Sequence, residues 1–128
     1  MLMRKDSPLA QKEAISAQDL WDKPLLLSHQ RGGSDMLAGW LQRDYSQLNV
    51  VATYNLVFNA SLLVDEGLGY AITLDKLVHT QGTSLCFRPL TPRLEASASV
   101  VWKRYQVFSK AAGIFLQSLR ELLSQENG

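Results

Sequence analysis

The chain has 128 residues, 46% of them hydrophobic, and its 13 basic and 12 acidic residues leave a formal net charge of +1. This length predicts one domain with a modest core, and a near-neutral charge without a basic stripe argues against direct binding of nucleic acid. A single cysteine, Cys86, excludes an internal disulfide framework and favours a reducing compartment. No apolar run approaches the roughly 20 residues of a membrane span, and the N-terminal segment lacks the apolar core of a signal peptide, so we expect a cytoplasmic protein.

The first part of the chain predicts two short strands and two helical segments. Leu2 to Arg4 is an apolar run ended by turn residues, and Leu25 to Ser28 is an apolar run short enough for a central strand. Between them, Ser16 and Asp19 form a capping box for one helical turn. Ser34 is a predicted N-cap, and the helix behind it places four apolar side chains on one face: Met36, Leu37, Trp40 and Leu41.

The middle of the chain predicts a strand, a helix and a second strand in sequence. Asn49 to Thr53 is a β-branched run that favours a strand, and Asn55 is placed to cap the helix that follows. Gly67 and Gly69 supply the positive φ that ends a helix, and Tyr70 to Leu74 is the next buried strand. The apolar face of the helix comprises Leu56, Ala60, Leu63 and Val64, with Phe58 as a further candidate. This order is typical of a parallel sheet with helices on its faces.

The last part of the chain predicts two more strands and the longest helix. Leu85 to Arg88 is an apolar run closed by prolines, and Ala96 to Trp102 alternates small apolar residues with serines as a last strand. Ser109 caps a terminal helix whose apolar stripe is Ala112, Phe115, Leu119, Leu122 and Leu123. Together the elements predict an α/β fold, with a mixed, mostly parallel sheet of about five strands and helices on both faces.

Polar side chains follow three of the predicted strands, where ligands bind in open α/β sheets. Their hydroxyl and amide groups, with the N–H groups at helix N-termini, suit a small and preferably anionic ligand. The candidates are Ser28, His29 and Gln30 after the first strand of the sheet, Thr53, Tyr54 and Asn55 after the second, and Thr73 and Asp75 after the third. The alternative, that Ser28 and Asn55 only cap helices and form turns, explains the same residues equally well.

Other residues that suggest chemistry have structural explanations. His29 and His79 lie far apart without local ligand partners, which argues against a metal site, and Cys86 lies within an apolar strand, where a core position is typical. The Gly67-Leu68-Gly69 sequence ends a helix instead of opening one, so it is not a dinucleotide fingerprint. No acid/base pair or nucleophile elbow is present, so we predict neither catalysis nor a cofactor.

Four segments of the chain, which have the same order and spacing as in the family, resemble the effector-binding domain of LysR-type bacterial transcription regulators. LLVDEGLGYAITLDKL at residues 62 to 77 resembles the family's apolar helix that ends in Gly-Leu-Gly before a strand. MLMRKDSPLA at 1 to 10 resembles its crossover strand, and DLWDKPLLLSHQ at 19 to 30 resembles the first helix and strand of its second subdomain. The segment from residue 85 to 119 resembles the family's closing strands and C-terminal helix. The resemblance covers nearly the whole chain.

The resemblance implies a fold like the type 2 periplasmic binding proteins, with one subdomain and terminal elements of the other. Residues 1 to 128 would be part of an effector-binding domain, without the DNA-binding winged helix-turn-helix and the first half of that domain. It implies that a small-molecule effector binds near the positions of Ser28, His29 and Asn55 and alters DNA binding by the intact protein. DNA would be contacted only through the absent N-terminal domain, and no membrane would be involved.

Two further expectations concern alternatives and assembly. A lobe of a solute-binding protein has a similar fold, and a signal peptide in the native gene would favour it over a regulator; an α/β enzyme has no support in the motifs. Surface left bare by the missing half, along Leu2 to Met3 and at Phe115, Leu119 and Leu122, predicts a homodimer or larger assembly. We expect the terminal helix or the first strand at its contact.

Overall fold

The computed structural model describes residues 1–29, 34–96 and 99–126 and divides the chain into two compact units, Met1–Ala96 and Ser97–Gly128. The first unit contains a five-stranded sheet. Its strands are β1 (Leu2–Arg4), β2 (Leu25–Ser28), β3 (Val50–Tyr54), β4 (Tyr70–Ala71) and β5 (Leu85–Phe87), and the order across the sheet is β3-β2-β4-β1-β5. These bounds confirm the predicted positions of the first, second, third and fifth strands to within a residue or two.

The sheet is mixed, as predicted, and β2 is its organising strand. β2 pairs in parallel with β3 on one side and with β4 on the other, whereas β1 runs antiparallel to both β4 and β5. Four strands therefore point in one direction, and the carboxyl ends of β2, β3, β4 and β5 lie at one edge of the sheet. We call this the carboxyl edge.

Helical segments cover both faces of the sheet because the side chains of each strand alternate between the faces. On one face Leu25 and Leu27 pack with Leu41 of α1 (Ser34–Leu41) and with short 3₁₀ turns at Pro8–Gln11 and Gln18–Leu20. On the other face Leu26 packs with Ala60 and Val64 of α2 (Val57–Asp65). Cys86 is buried with Leu25 and Leu27, which confirms its predicted place in the core.

The predicted capping box is only half formed before the 3₁₀ turn at Gln18–Leu20, because the N-cap is Ala17 and makes no side-chain capping bond. The backbone N–H and the hydroxyl of Ser16 both donate to the Asp19 carboxylate, at 2.9 and 2.8 Å. Lys12 Nζ adds a third hydrogen bond to this carboxylate, at 2.5 Å, and its contact is the largest cause that lowers the pKa of Asp19. The carboxylate thus holds residues 12 to 19 of the connection between β1 and β2 together.

The two glycines after α2, Gly67 and Gly69, have different structural roles. Gly67 has φ +81°, which confirms the predicted left-handed helix ending. Gly69 does not have a positive φ, so that part of the prediction is wrong. A Cβ atom on Gly69 would instead lie 2.4 Å from the carbonyl oxygen of Pro24, the same oxygen that accepts the N–H of Tyr70. Gly69 therefore permits β4 to approach β2 closely.

Two predicted apolar elements are shorter or more exposed than expected. β4 ends at Ala71, and Leu74 is exposed, because the backbone leaves the β2 ladder after the Ile72 N–H. In α2 the small residues Ala60 and Ser61 lie against the sheet with Val64, so the helix packs closely. The predicted face residues Leu56, Phe58 and Leu63 are exposed instead, Phe58 by 68%.

The predicted last strand is wrong for the residues that the structure describes. Ser97 and Ala98 lie outside them, and the flanking positions Ala96 and Ser99 to Trp102 form no strand. Val101 is 85% exposed. Alternation of small apolar and polar residues alone is therefore insufficient to form a strand here, since a strand also needs a pairing partner.

The second unit contains α3 (Lys110–Glu126), which begins where predicted. Ser109 Oγ accepts the N–H of Ala112 at 3.2 Å, so the predicted cap is confirmed. Upstream, the Trp102 ring contacts Phe108 edge-on at 6.1 Å, and the Arg120 guanidinium lies 5.4 Å from the Trp102 centroid. Several residues of the predicted stripe are exposed, including Phe115, Leu122 and Leu123. Within the described part of the chain, no helix has the length and apolar character needed to cross a membrane.

The position of β1 corrects one expectation about assembly. Leu2 and Met3 are fully buried, since β1 lies between β4 and β5 with side chains in both core clusters. The first strand is therefore part of the core and offers no exposed surface for association.

We predict that Gly69→Ala destabilises the domain by about 2 kcal/mol or more, because the new methyl group displaces β4 from β2. Gly39→Ala is the matched control, since a Cβ at Gly39 in α1 meets nothing within 4 Å. It should gain up to about 1 kcal/mol from helix propensity. Urea unfolding of the two variants measures both values, and equal stabilities would contradict the close approach at Gly69.

Candidate functional site

The three predicted loops meet at the carboxyl edge. Ser28 at the end of β2 lies in register with Tyr54 at the end of β3, and the N–H of His29 donates to the Tyr54 carbonyl at 2.7 Å. On the other side of β2, the N–H of Ile72 donates to the Leu26 carbonyl at 3.2 Å, which sets the position of the adjoining Thr73. Adjacent strands are about 4.8 Å apart, so these loops are close neighbours.

The predicted ligand-binding residues differ in exposure. Ser28, His29, Thr53 and Asn55 are exposed and Thr73 is half-buried, so their side chains are accessible at or beside the edge. Thr53 lies within β3, opposite Leu27, and Tyr54 is also a strand residue, because the strand runs one residue further than predicted. Gln30 lies outside the described residues.

Tyr54 is the exception, because only 8% of it is exposed. Its ring packs in the cluster that contains Leu26, Ala60 and Ala71, and its hydroxyl donates to the Ile72 carbonyl at 2.5 Å. Burial raises the pKa of Tyr54, so the phenol remains a protonated donor at neutral pH. The side chain is therefore occupied within the core and is not directed at a ligand.

The structure also corrects the predicted role of Asn55 as a helix cap. The N-cap of α2 is Leu56, which has φ −115° and ψ 120° and makes no side-chain capping bond. Among the described residues, nothing forms a hydrogen bond with the Asn55 side chain. Helix capping consequently does not explain Asn55, and its carboxamide faces solvent at the edge.

A groove of about 700 Å³ extends the carboxyl edge toward β5. Thr73 and Asp75 contribute to it from the loop after β4, and Phe87, Arg93 and Glu95 contribute from the chain after and at the end of β5. Arg93 and Glu95 form an exposed ion pair at 3.0 Å. The lining therefore combines an apolar floor with charges of both signs, which gives no general preference for an anion.

Sequence reasoning missed the β5 contribution to this groove. The rule that polar loops follow the carboxyl ends of parallel strands applies to β5 as well as to β2, β3 and β4, because β5 runs in their direction. Applied to Leu85 to Arg88, it would have pointed to the segment after Arg88.

A second cavity of about 310 Å³ lies between α2 and the chain before β5. It is lined mainly by Phe58, Leu62 and Leu77, with His79 and the hydrogen-bonded Asp65 and Ser84 at its rim. Across residues 1–29, 34–96 and 99–126, no group of His, Cys, Asp or Glu residues is arranged to hold a metal ion. The two histidines thus belong to separate surfaces.

Comparison of this sequence with protein-family models identifies the family of the chain. Residues 1–124 match the family model described as the LysR substrate binding domain. The chain belongs to this family. No curated protein matches the sequence. Membership identifies the chain as a regulatory, effector-binding module and not an enzyme, which confirms the resemblance seen in its sequence segments.

Solved structures of LysR regulators share the fold of this LysR domain. HinK, a LysR family transcriptional regulator from Pseudomonas aeruginosa, superposes with a TM-score of 0.69 at 18% identity, over 95% of this chain and 43% of HinK. The PA01 protein of the same organism, also ascribed to the LysR family, gives a TM-score of 0.68 at 18% identity with the same coverage. This chain thus spans less than half the length of each of these two proteins.

We predict that Asn55→Ala changes the unfolding free energy by less than about 0.5 kcal/mol, because Asn55 is exposed and does not cap α2. Leu56→Ser should stabilise the domain by about 1 kcal/mol, since it adds a capping hydroxyl at the true N-cap. Chemical denaturation tests both. A loss of about 1 kcal/mol in Asn55→Ala would restore the capping role.

Proposed function

We propose that this LysR domain binds a small-molecule effector at the carboxyl edge and thereby modulates DNA binding by the intact regulator. The observation that carries the proposal is the convergence of the loops after β2, β3 and β4, which the parallel pairing of β2 brings together. The proposed ligand-binding residues are Ser28, His29, Thr53, Asn55 and Thr73, with Gln30 next to His29 in sequence.

The chemistry of these residues favours a polar ligand with hydrogen-bonding groups. Hydroxyl, imidazole and carboxamide side chains supply both donors and acceptors within one small area. The first N–H groups of α2 are not capped by a side chain and lie directly after Asn55, so they favour an acceptor or anionic group on the ligand. The neighbouring groove, with its apolar floor near Phe87, would accommodate a less polar part.

The effector would act on DNA binding through parts of the intact regulator that lie outside this chain. The near-neutral charge of this chain supports the view that DNA is contacted elsewhere in the intact regulator. The exposed apolar stripe of α3, with Phe115 64% exposed, supports association through this helix into a homo-oligomer. A cytoplasmic location completes the proposal, because a regulator must reach DNA.

The proposal predicts that binding depends on Asn55 but not on Asn49. Asn49 and Asn55 flank β3 at opposite ends and are both exposed, so Asn49→Ala is a matched control at the other edge of the sheet. Titration calorimetry against a panel of metabolites, including carboxylates, amino acids and sugars, should identify a binding compound. For that compound, Asn55→Ala should raise the Kd about tenfold or more, the value of one lost ligand hydrogen bond.

Asn49→Ala should leave the Kd unchanged. Binding that survives Asn55→Ala undiminished, or that weakens equally in both variants, would place the effector elsewhere on the domain.

A further inference from the structure

The Tyr54 side chain spans β2 to join two loops of the carboxyl edge. Tyr54 ends β3, whereas its hydrogen-bond partner Ile72 directly follows β4, and β2 lies between these strands. The distance across two strand spacings is about 9.5 Å, which no shorter polar side chain covers. The hydroxyl nevertheless reaches the Ile72 carbonyl at 2.5 Å.

The ends of this bridge are the neighbours of two proposed ligand-binding residues. Asn55 follows Tyr54 in sequence, and Thr73 follows Ile72. β4 is only two residues long, and just beyond it the N–H of Ile72 donates to the Leu26 carbonyl and holds the backbone to β2. The Tyr54 hydroxyl adds a second attachment on the same residue.

The bridge is also rigid. The Tyr54 side chain belongs to the core cluster that contains Leu26, Ala60 and Ala71, and close packing there limits its motion. The hydrogen bond of the Tyr54 hydroxyl is partly buried, so water competes with it less than it does at an exposed site. The two loops therefore have little freedom to separate while this bond is made.

We infer that Tyr54 is a positioning residue of the effector site: its hydroxyl, bonded to the Ile72 carbonyl across β2, holds Asn55 and Thr73 at a fixed separation. The inference rests on the proposed function. It replaces the expectation that Tyr54 contacts the ligand, because the hydroxyl bonds the Ile72 carbonyl and also interacts with the side chain of Thr73. Removal of the hydroxyl should make the loops at Asn55 and Thr73 more mobile. The affinity for a ligand that contacts both loops should therefore fall.

The variant Tyr54→Phe removes the hydroxyl and keeps the ring. Tyr70→Phe is its matched control, because the Tyr70 hydroxyl shares a 2.8 Å hydrogen bond with Ser7 at the opposite end of β4. Amide hydrogen exchange by NMR reports on three backbone bonds: His29 to Tyr54 and Ile72 to Leu26 at the carboxyl edge, and Leu25 to Asn49 at the other edge. Only Tyr54→Phe should speed exchange at His29 and Ile72 relative to Leu25, by about tenfold.

The panel compound that binds the unmodified chain then provides the functional readout. Its Kd should rise about fivefold in Tyr54→Phe and stay within about twofold in Tyr70→Phe, since both variants lose one hydroxyl bond but only one of them affects the edge. A merely structural hydroxyl would lower stability in both variants and leave the Kd unchanged in both.

The outcomes separate the two claims. A compound that binds both variants with the affinity of the unmodified chain, or edge amides whose exchange follows that of Leu25, would overturn the positioning role and leave the proposed function intact. A panel in which no compound binds the unmodified chain would overturn the proposed function together with the inference that rests on it.

Discussion

The parallel alignment of β2 with both of its neighbours is the constraint on which the rest of this structure depends. Leu25, Leu26 and Leu27 are buried on the two faces of the sheet, so β2 cannot shift its register without moving a leucine out of a core. Burial of a leucine is favourable by about 1.5 to 3 kcal/mol, which makes such a shift costly. With β2 fixed, β3 and β4 deliver their carboxyl ends to the same edge.

At the ends of β2 and β3, buried core residues are followed directly in sequence by exposed residues of the proposed site. The apolar run of β2 is buried through Leu27 and becomes exposed at Ser28, and the next strand changes from buried Tyr54 to exposed Asn55. The apolar side chains therefore hold the backbone, while the polar side chains directly beyond them remain accessible. Tyr54 belongs to both parts, since its ring is in the core and its hydroxyl fixes a loop of the edge.

The sequence predicted the scaffold better than the site. The run from Leu25 to Ser28 was predicted with its observed bounds because Pro24 and a polar end frame a short apolar segment. Ser109 was recognised as a cap because local chemistry alone decides that role. Both features depend only on residues that are neighbours in sequence, so one sequence is enough to predict them.

The errors involve partners that are distant in sequence. The preference of asparagine for N-caps pointed to Asn55, but the strand runs one residue further than predicted, and the helix then begins beyond Leu56. Tyr54 is that extra strand residue, and its side chain packs in the core. A side chain at position 69 would clash with the carbonyl oxygen of Pro24, and the described residues around Val101 form no strand. None of these relations is visible in local residue patterns.

The most direct test of the account is an NMR titration of the ¹⁵N-labelled chain with a binding compound, followed residue by residue. The account predicts that the amide signals of His29, Asn55 and Thr73 shift together and fit one Kd, because the pairing of β2 places them around one ligand. Shifts confined to Phe58, Leu62 and Leu77 around the second cavity, with the carboxyl edge unchanged, would contradict it.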